Sequence, residues 1–279
     1  MISVLRQSAK GHPLSRNGEC ARLVAERMGR PVFSMTVGVD RRYVRLTGEA
    51  QGWFDEVEGE DDPEAARSVI AGAAAFARGL GVERIFGPAA PRPLPGLKVE
   101  GAGARPHIGR LLAENGFQVP REYVSFHIPP QERPEMARAA ARARRTRAVS
   151  VRQEGYTKAG CLALYALYEP ARLSFEDFAE ALDRLRPWKA YVASVRGVDA
   201  GFALVRREEG VSRVETVMIT PPFRRGPALL CLLDSLRMSM GPRVITGAIA
   251  RDNAPSMAVA RSLDGVIYEL WREYILYLI

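Results

Sequence analysis

The sequence is poor in the residues that most often carry metal and nucleophilic chemistry. It has three cysteines and three histidines in 279 residues. Cys20, Cys161 and Cys231 are well separated and fit no metal-ligand spacing, and their odd number in apolar surroundings reads as reduced, structural thiols. The scattered histidines leave little for a metal site or a Ser-His-Asp triad. No metal is expected. No run reaches the length of a membrane span, and the opening "MISVLRQSAKGH" lacks the apolar centre of a signal peptide, so a cytoplasmic protein is expected. Lysine is almost missing too: Lys10, Lys98, Lys158 and Lys189 stand among 40 basic residues.

What is present is arginine and apolar surface. The net charge of +8 favours anionic partners such as nucleotides, CoA or RNA, although the arginine bias is also what a GC-rich genome gives. Apolar residues make up 47% of the chain, enough for a sizeable core and for two small domains.

The same order of pieces occurs twice. "GVERIFG" (Gly81–Gly87) answers "GPRVITG" (Gly241–Gly247), and each follows an amphipathic helix. "REYVSFHI" (Arg121–Ile128) answers "REYILYLI" (Arg272–Ile279), each after a short helix-like segment. Two copies of one α/β unit are therefore expected: residues 1–130, then a basic connecting helix over 131–146, then 147–279. The connecting helix begins at Pro134, with arginines expected all round it, either solvated or gripping phosphates.

In the second copy, "AVSVRQ" reads as a strand. "AGCLALYALYEPA" and "SFEDFAEALDRLR" read as helices, the latter N-capped by Ser174 with Glu176 nearby. Three strands follow, "KAYVASVRG", "AGFALVRREEG" and "SRVETVMIT". A helix over Ala228–Met240 carries an apolar stripe of Leu229, Leu232, Leu233, Leu236 and Met240. A strand, a helix after Asn253 and a final strand complete the copy. Between strand and helix lies a short basic joint, and joints of that kind hold anions through free amides and the helix dipole.

On "ITPPFRRGPALL" (Ile219–Leu230) and "RDNAPSMAVARSLDG" (Arg251–Gly265), the second copy resembles the GNAT superfamily of acyl-CoA N-acyltransferases. Through the repeat, the whole chain resembles tandem-GNAT proteins. The resemblance implies an α/β (α+β) fold of two units, each a mixed, mostly antiparallel sheet flanked by helices. It implies an N-acetyltransferase that uses acetyl-CoA, or another acyl-CoA, as cosubstrate and passes the acyl group to a primary amine of a small molecule or peptide. The CoA-binding residues it implies are Met218, Ile219, Thr220, Arg224, Arg225, Gly226, Pro227, Ala228 and Asn253. Gly226 and Ala228 fit the family's turn, Phe223 replaces its Gln or Arg, and Pro227 removes one amide donor. For catalysis it implies the Ile219 amide on the thioester carbonyl and Glu215 as base, with burial raising that carboxylate's pKa. Glu215, Val217 and Ile219 are expected on one strand face. The alternative for Glu215 is an ion pair with Arg206 or Arg213.

The family's usual tyrosine acid is replaced by Ala260, and its Gly-Phe by Asp264-Gly265. Tyr268 or Tyr274 could substitute, or simply pack. In the first copy Glu56, Glu58, Glu60, Asp61 and Asp62 would repel CoA phosphates, so that copy is read as structural, with Asp62 a helix cap. Its proline-rich loop "GPAAPRPLPGLKVEGAGARP" is expected to shape an acceptor pocket or a domain contact. Two rivals stand beside the transferase: a non-catalytic binding or scaffold protein, and an RNA-associated aminoacyl transferase resting on Arg142, Arg144 and Arg145.

Overall fold

The computed structural model describes residues 2–9, 18–41, 44–45, 48–88, 97–155, 157–167, 178–179, 182–183, 188–224, 226–241 and 243–278. The helix expected at Ser174 and Glu176, residue Arg225 and residues 89–96 of the proline-rich loop lie outside them. Thirteen strands and six α-helices are found among the described residues. By packing, the chain divides into two compact units. The first holds Met1–Ser125, Ile249–Met257 and Ile267–Ile279; the second holds Phe126–Ala248 and Ala258–Val266.

The first unit opens with four antiparallel strands, β1 (Ile2–Ser8), β2 (Cys20–Arg27), β3 (Arg30–Val39) and β4 (Gln51–Gly59). The β2–β3 turn is Met28-Gly29, both at positive φ (53° and 76°), the turn whose twist suits a two-residue hairpin. Helix α1 (Pro63–Gly79) follows and carries the chain to β5 (Arg84–Gly87), which runs parallel to β4. Next come β6 (Leu97–Glu100), α2 (Pro106–Glu114) and β7 (Gln118–Ile128). The buried stripe of α1, including Val69, Ile70 and Ala73, meets Phe33, Met35 and Val37 of β3 in one core.

The second unit repeats this order. Helix α3 (Pro134–Thr146) leads to β8 (Val149–Glu154), α4 (Lys158–Leu167), β9 (Trp188–Val195), β10 (Val198–Glu208) and β11 (Val211–Ile219). Again a two-residue turn at positive φ, Arg196-Gly197, joins two of the antiparallel strands. Helix α5 (Ala228–Met240) and β12 (Val244–Ala250) follow, with β12 parallel to β11. Trp188, Phe202 and Leu204 pack with α4 residues on one sheet face, and Ala203, Val205, Leu232 and Leu236 pack on the other.

The chain ends with α6 (Ala254–Ser262) and β13 (Val266–Tyr277). Here the expected boundary at 147 differs from the packing. From Ile267 onward β13 belongs to the first unit, pairing antiparallel with β5 (Tyr274↔Gly87) and with β6. Tyr274 is the largest side chain fully buried in that core, which removes it as a substitute acid. Its hydroxyl is so close to Gly109 that a Cβ there would lie 2.5 Å away.

Helix α3 corrects a second expectation. Its arginines fall all round it, but Arg144 is taken up by a carboxylate rather than by solvent or a phosphate. Ala140 and Ala143 are buried, and the Arg144 guanidinium reaches Asp234 of α5 at 2.8 Å and the Ser235 hydroxyl at 3.0 Å. The Asp234 side chain is 1% exposed. A carboxylate so buried needs a cation, because its desolvation is otherwise unanswered. Cys231 and Asp234 therefore form a second buried face of α5, beyond the leucine stripe. Just before α3, Arg133 donates to the carbonyl oxygens of Ser262 and Leu263 (3.3 and 2.6 Å) and to Asp264 (2.9 Å). These are the unsatisfied carbonyls at the C-terminal end of α6, where a cation is also favoured by the dipole.

Candidate functional site

The site is built where β11 leaves the sheet. Strands β11 and β12 pair in parallel from Val211↔Val244 to Val214↔Gly247, and no further among the described residues. β11 nevertheless continues to Ile219, still paired on its other edge with β10. Among the described residues, one edge of Glu215–Ile219 is therefore unpaired.

A β-bulge marks the point of departure. Leu204 faces Thr216 and Val205 faces Val214, so Glu215 is the extra residue on β11. A bulge reverses the in–out alternation and bends the strand. Val214 and Ile219 consequently both pack on the cluster under α5, which plain alternation would forbid. Met218 packs on the opposite face, against the cluster of Trp188, Phe202 and Leu204. The expected single face of Glu215, Val217 and Ile219 is broken at Glu215 for this reason. Its side chain is 8% exposed, and its Oε1 lies 3.2 Å from Nε of Arg206 on β10. The ion-pair alternative is thus the arrangement the structure contains.

Ile219 is placed as expected of a backbone donor. The Thr220 amide and hydroxyl both donate to the Ala200 oxygen, at 2.9 and 3.1 Å. Successive amides of a strand point to opposite edges, so the Ile219 N–H faces the open one. Its carbonyl faces the same way and accepts from Arg224 Nε at 3.3 Å. Close approach of β10 fixes this register, since a Cβ on Gly201 would meet the Met218 oxygen at 2.2 Å.

The joint that follows is a 3-10 turn, Pro221–Phe223, then Arg224, Gly226 and Pro227. Its amides are largely spent inside it. Phe223 N–H donates to Thr220 O at 2.9 Å, Arg224 N–H to Pro221 O at 3.4 Å and Gly226 N–H to Phe223 O at 2.9 Å. The donors left over lie one step later, at the start of α5. No side chain caps that helix, and nothing among the described residues accepts from the amides of Ala228 and Leu230. Its first turn carries no acidic residue, and Arg224 is exposed beside it. Two oriented amides, a helix N-terminus and an arginine form an anion-binding combination.

Asn253 is exposed and caps α6, its Oδ1 accepting from the Ser256 amide at 3.2 Å. Ala260 is buried at 7% exposure and has no proton to give. Tyr268 is 39% exposed on the first unit's strand β13. Among the described residues no group of three or more His, Cys, Asp or Glu is placed to hold a metal ion. No helix among them is long and apolar enough to cross a membrane.

The equivalent place in the first unit is filled. β4 pairs with β5 up to Trp53↔Phe86, and it too carries an extra residue, with Glu56 at φ 48°. Glu56 accepts from the Thr36 hydroxyl at 2.9 Å and from Arg22 at 3.4 Å. The start of α1 is capped by Asp62, whose Oδ1 accepts from the Glu64 and Ala65 amides at 3.1 Å each. Arg27 in turn holds Asp62 at 2.8 Å.

A strand–bulge–helix unit, present twice and diverging from its parallel neighbour each time, has known counterparts. Along its whole length the chain superposes on a tandem GNAT protein from the clavulanic acid biosynthesis pathway, with a TM-score of 0.62 and 14% identity over 99% of that protein. The chain has the tandem GNAT fold. A GCN5-related N-acetyltransferase from Sphaerobacter thermophilus shares this fold (TM-score 0.61, 14% identity, 92% of this chain and 80% of that one). So does a probable N-acyltransferase from Enterococcus faecalis (TM-score 0.57, 8% identity, 100% and 73%). No protein-family model matches the sequence, and no curated protein matches it significantly. The two strand–helix joints differ in length, backbone and side chains, and sequence reasoning missed two features of the second: the bulge at Glu215 and the internal bonding of the turn amides. The first has no one-dimensional signal. The second was signalled by Pro221-Pro222, which favours a tight turn that spends its own donors.

Proposed function

We propose that the protein is an acyl-CoA-dependent N-acyltransferase whose second unit binds the acyl-CoA. The observation that carries this reading is the open edge of Glu215–Ile219 leading directly into the uncapped start of α5. The amides of Ala228 and Leu230, with Arg224 and Arg225, would hold the pyrophosphate; Met218, Ile219 and Thr220 would line the thioester arm. Gly226 and Pro227 shape the turn between them. The acyl group is read as acetyl and the acceptor as a primary amine.

In the reaction, the amine lone pair attacks the thioester carbonyl carbon. The new N–C bond forms, the C–S bond breaks, and the sulfur departs with the bonding electrons. The Ile219 N–H stabilises the charge that develops on the carbonyl oxygen. Glu215 takes the proton lost from nitrogen, with Arg206 orienting its carboxylate. A thiol has a pKa of about 8.5, so it leaves as thiolate without the acid that Ala260 cannot supply.

The test pairs binding with turnover. Acetyl-CoA is titrated calorimetrically, and thiol release is then followed with a panel of primary amines. One molecule bound per chain, with turnover lost in Glu215→Gln while binding persists, is the expected result. Binding without thiol release for any amine would favour the second reading, a non-catalytic binding protein, which Ala260 and the Arg206–Glu215 pair support.

A further inference from the structure

Helix α3 has two sides that differ in what they do. Arg144 and the alanines at 140 and 143 are turned to α5, and Arg144 is tied to the buried Asp234. Arg138, Arg142 and Arg145 lie on the outward side, all exposed, with no carboxylate partner among the described residues. At about 100° per residue they fall within roughly 60° of one another and about 180° from Ala140–Arg144. At about 1.5 Å rise per residue they span about 10.5 Å, the axial length of about three phosphates on one strand.

This stack is locally unfavourable. Like charges at i,i+4 destabilise a helix, here Arg138 over Arg142. Arg145 lies in the last turn, where the helix dipole welcomes a cation, but Arg138 and Arg142 lie upstream and gain nothing from it. Glu135, the only acidic residue of the helix, stands three residues before Arg138 and leaves Arg142 and Arg145 with no opposite charge at i,i+3 or i,i+4. An anion with repeating charge supplies it.

From this we propose that the outward face of α3 binds the phosphodiester backbone of a nucleic acid. The helix carries no aromatic residue, so the contact is to backbone and carries no base preference. Between the arginines stands Ala139, and no larger apolar side chain is there to enter a bilayer, which sets the face apart from a membrane-surface helix. The buried Arg144–Asp234 pair holds the helix in place as the platform. The proposal is independent of the acyl-transfer reading.

Labelled RNA and DNA oligonucleotides of mixed sequence, single-stranded and duplex, are titrated by fluorescence anisotropy at several salt concentrations. Three phosphate contacts give a duplex slope of about −2.7 in log affinity against log salt, or a fall of about fortyfold between about 50 and about 200 mM. In Arg138→Gln/Arg142→Gln/Arg145→Gln the affinity at low salt falls at least tenfold and the slope flattens by two to three units. The Lys-for-Arg triple variant keeps both, and a control of equal charge, Arg30→Gln/Arg67→Gln/Arg261→Gln, binds like the wild type. An unchanged or raised melting temperature shows that the glutamine variant is folded. No binding by the wild type at low salt overturns the proposal, and so does equal loss in the control. Stripe-dependent binding to vesicles of anionic lipid or to an acidic peptide, without binding to oligonucleotides, overturns it as well.

Discussion

Both units send a strand into a helix at the same place in the repeat, β4 into α1 and β11 into α5, but the two junctions are opposites. The first is three residues long (60–62), acidic, and closed by the Asp62 carboxylate on the Glu64 and Ala65 amides. The second is eight residues long (220–227), basic, and leaves its helix uncapped. A helix N-terminus wants an anion in either case. In the first unit the chain supplies one covalently; in the second no side chain does, and on the proposed reading the acyl-CoA pyrophosphate takes that place. One fold, used twice, thus carries a capped helix start and an uncapped one, which differ in junction length as well as in side chains.

The parallel strand pairs allow the first way of sharpening this comparison. A Cβ at Gly87 would lie 2.2 Å from the backbone oxygen of Phe54, which cannot move without moving β4. At the matching Gly247 the nearest atom is the Phe126 ring at 2.9 Å, with the Val214 oxygen at 3.4 Å. Gly87→Ala should cost about 3 kcal/mol and Gly247→Ala about 1 kcal/mol, read by denaturant unfolding. Equal costs would mean that the closer backbone approach at Gly87 does not distinguish the two strand pairs.

The repeated Arg-Glu-Tyr motifs give a second, with opposite signs. Both copies lie on the first unit's strands, where Arg272 and Arg251 hold Glu122 at 2.8 and 2.7 Å. These two arginines keep its carboxyl below the usual range. Glu273 is pushed up by burial, against the pull of Arg121. The Glu122 contribution is therefore complete above the ordinary carboxylate pKa and is lost as pH falls through its lowered folded value. Glu273 behaves inversely: its contribution is complete below the ordinary value and is lost as pH rises through its raised folded value. At neutral pH Glu122→Gln should destabilise by about 1 kcal/mol, the pair being partly solvated. Glu273→Gln should stabilise by less than that, and both differences should shrink in acid. Melting temperatures of the two variants between acid and neutral pH check the signs.

A third test addresses the filled junction itself. Asp62→Ala should cost about 1 kcal/mol, the usual worth of a capping side chain. It should not create a second acetyl-CoA site, because Glu60 and Asp61 remain at the mouth. Stoichiometry by calorimetry should stay at one.

Much of the fold was readable from the sequence, because repeat order and hydrophobic period are one-dimensional properties. The matched segments Gly81–Gly87 and Gly241–Gly247 supply β5 and β12, and the structure adds that both run parallel to a neighbour, β4 and β11. Asp62 reads as a cap because its Pro63 and Glu64 neighbours complete the pattern, and it is one. Less could be read where the answer depends on a partner far along the chain. Nothing in the helix period marks Asp234 as buried, and only the apposed Arg144 makes sense of its burial. The final strand could not be assigned to the first unit, because β-pairing choice leaves no trace in strand period. Glu215 was found by its type and position, while its bulge and its Arg206 partner depend on cross-strand register.

The most direct test transplants the closed junction into the open one. Pro227 stands immediately before α5 as Asp62 stands before α1. In Pro227→Asp, with ψ at 227 turned from 1° to the extended value that Asp62 has (98°), a carboxylate would accept from the Leu229 and Leu230 amides as Asp62 does from Glu64 and Ala65, with a net stability change of about 1 kcal/mol or less. Calorimetric titration of this variant with acetyl-CoA should show binding abolished with little change in melting temperature, while the wild type binds one molecule per chain. Undiminished binding in Pro227→Asp would contradict the account, because the anion would then be held somewhere other than the start of α5.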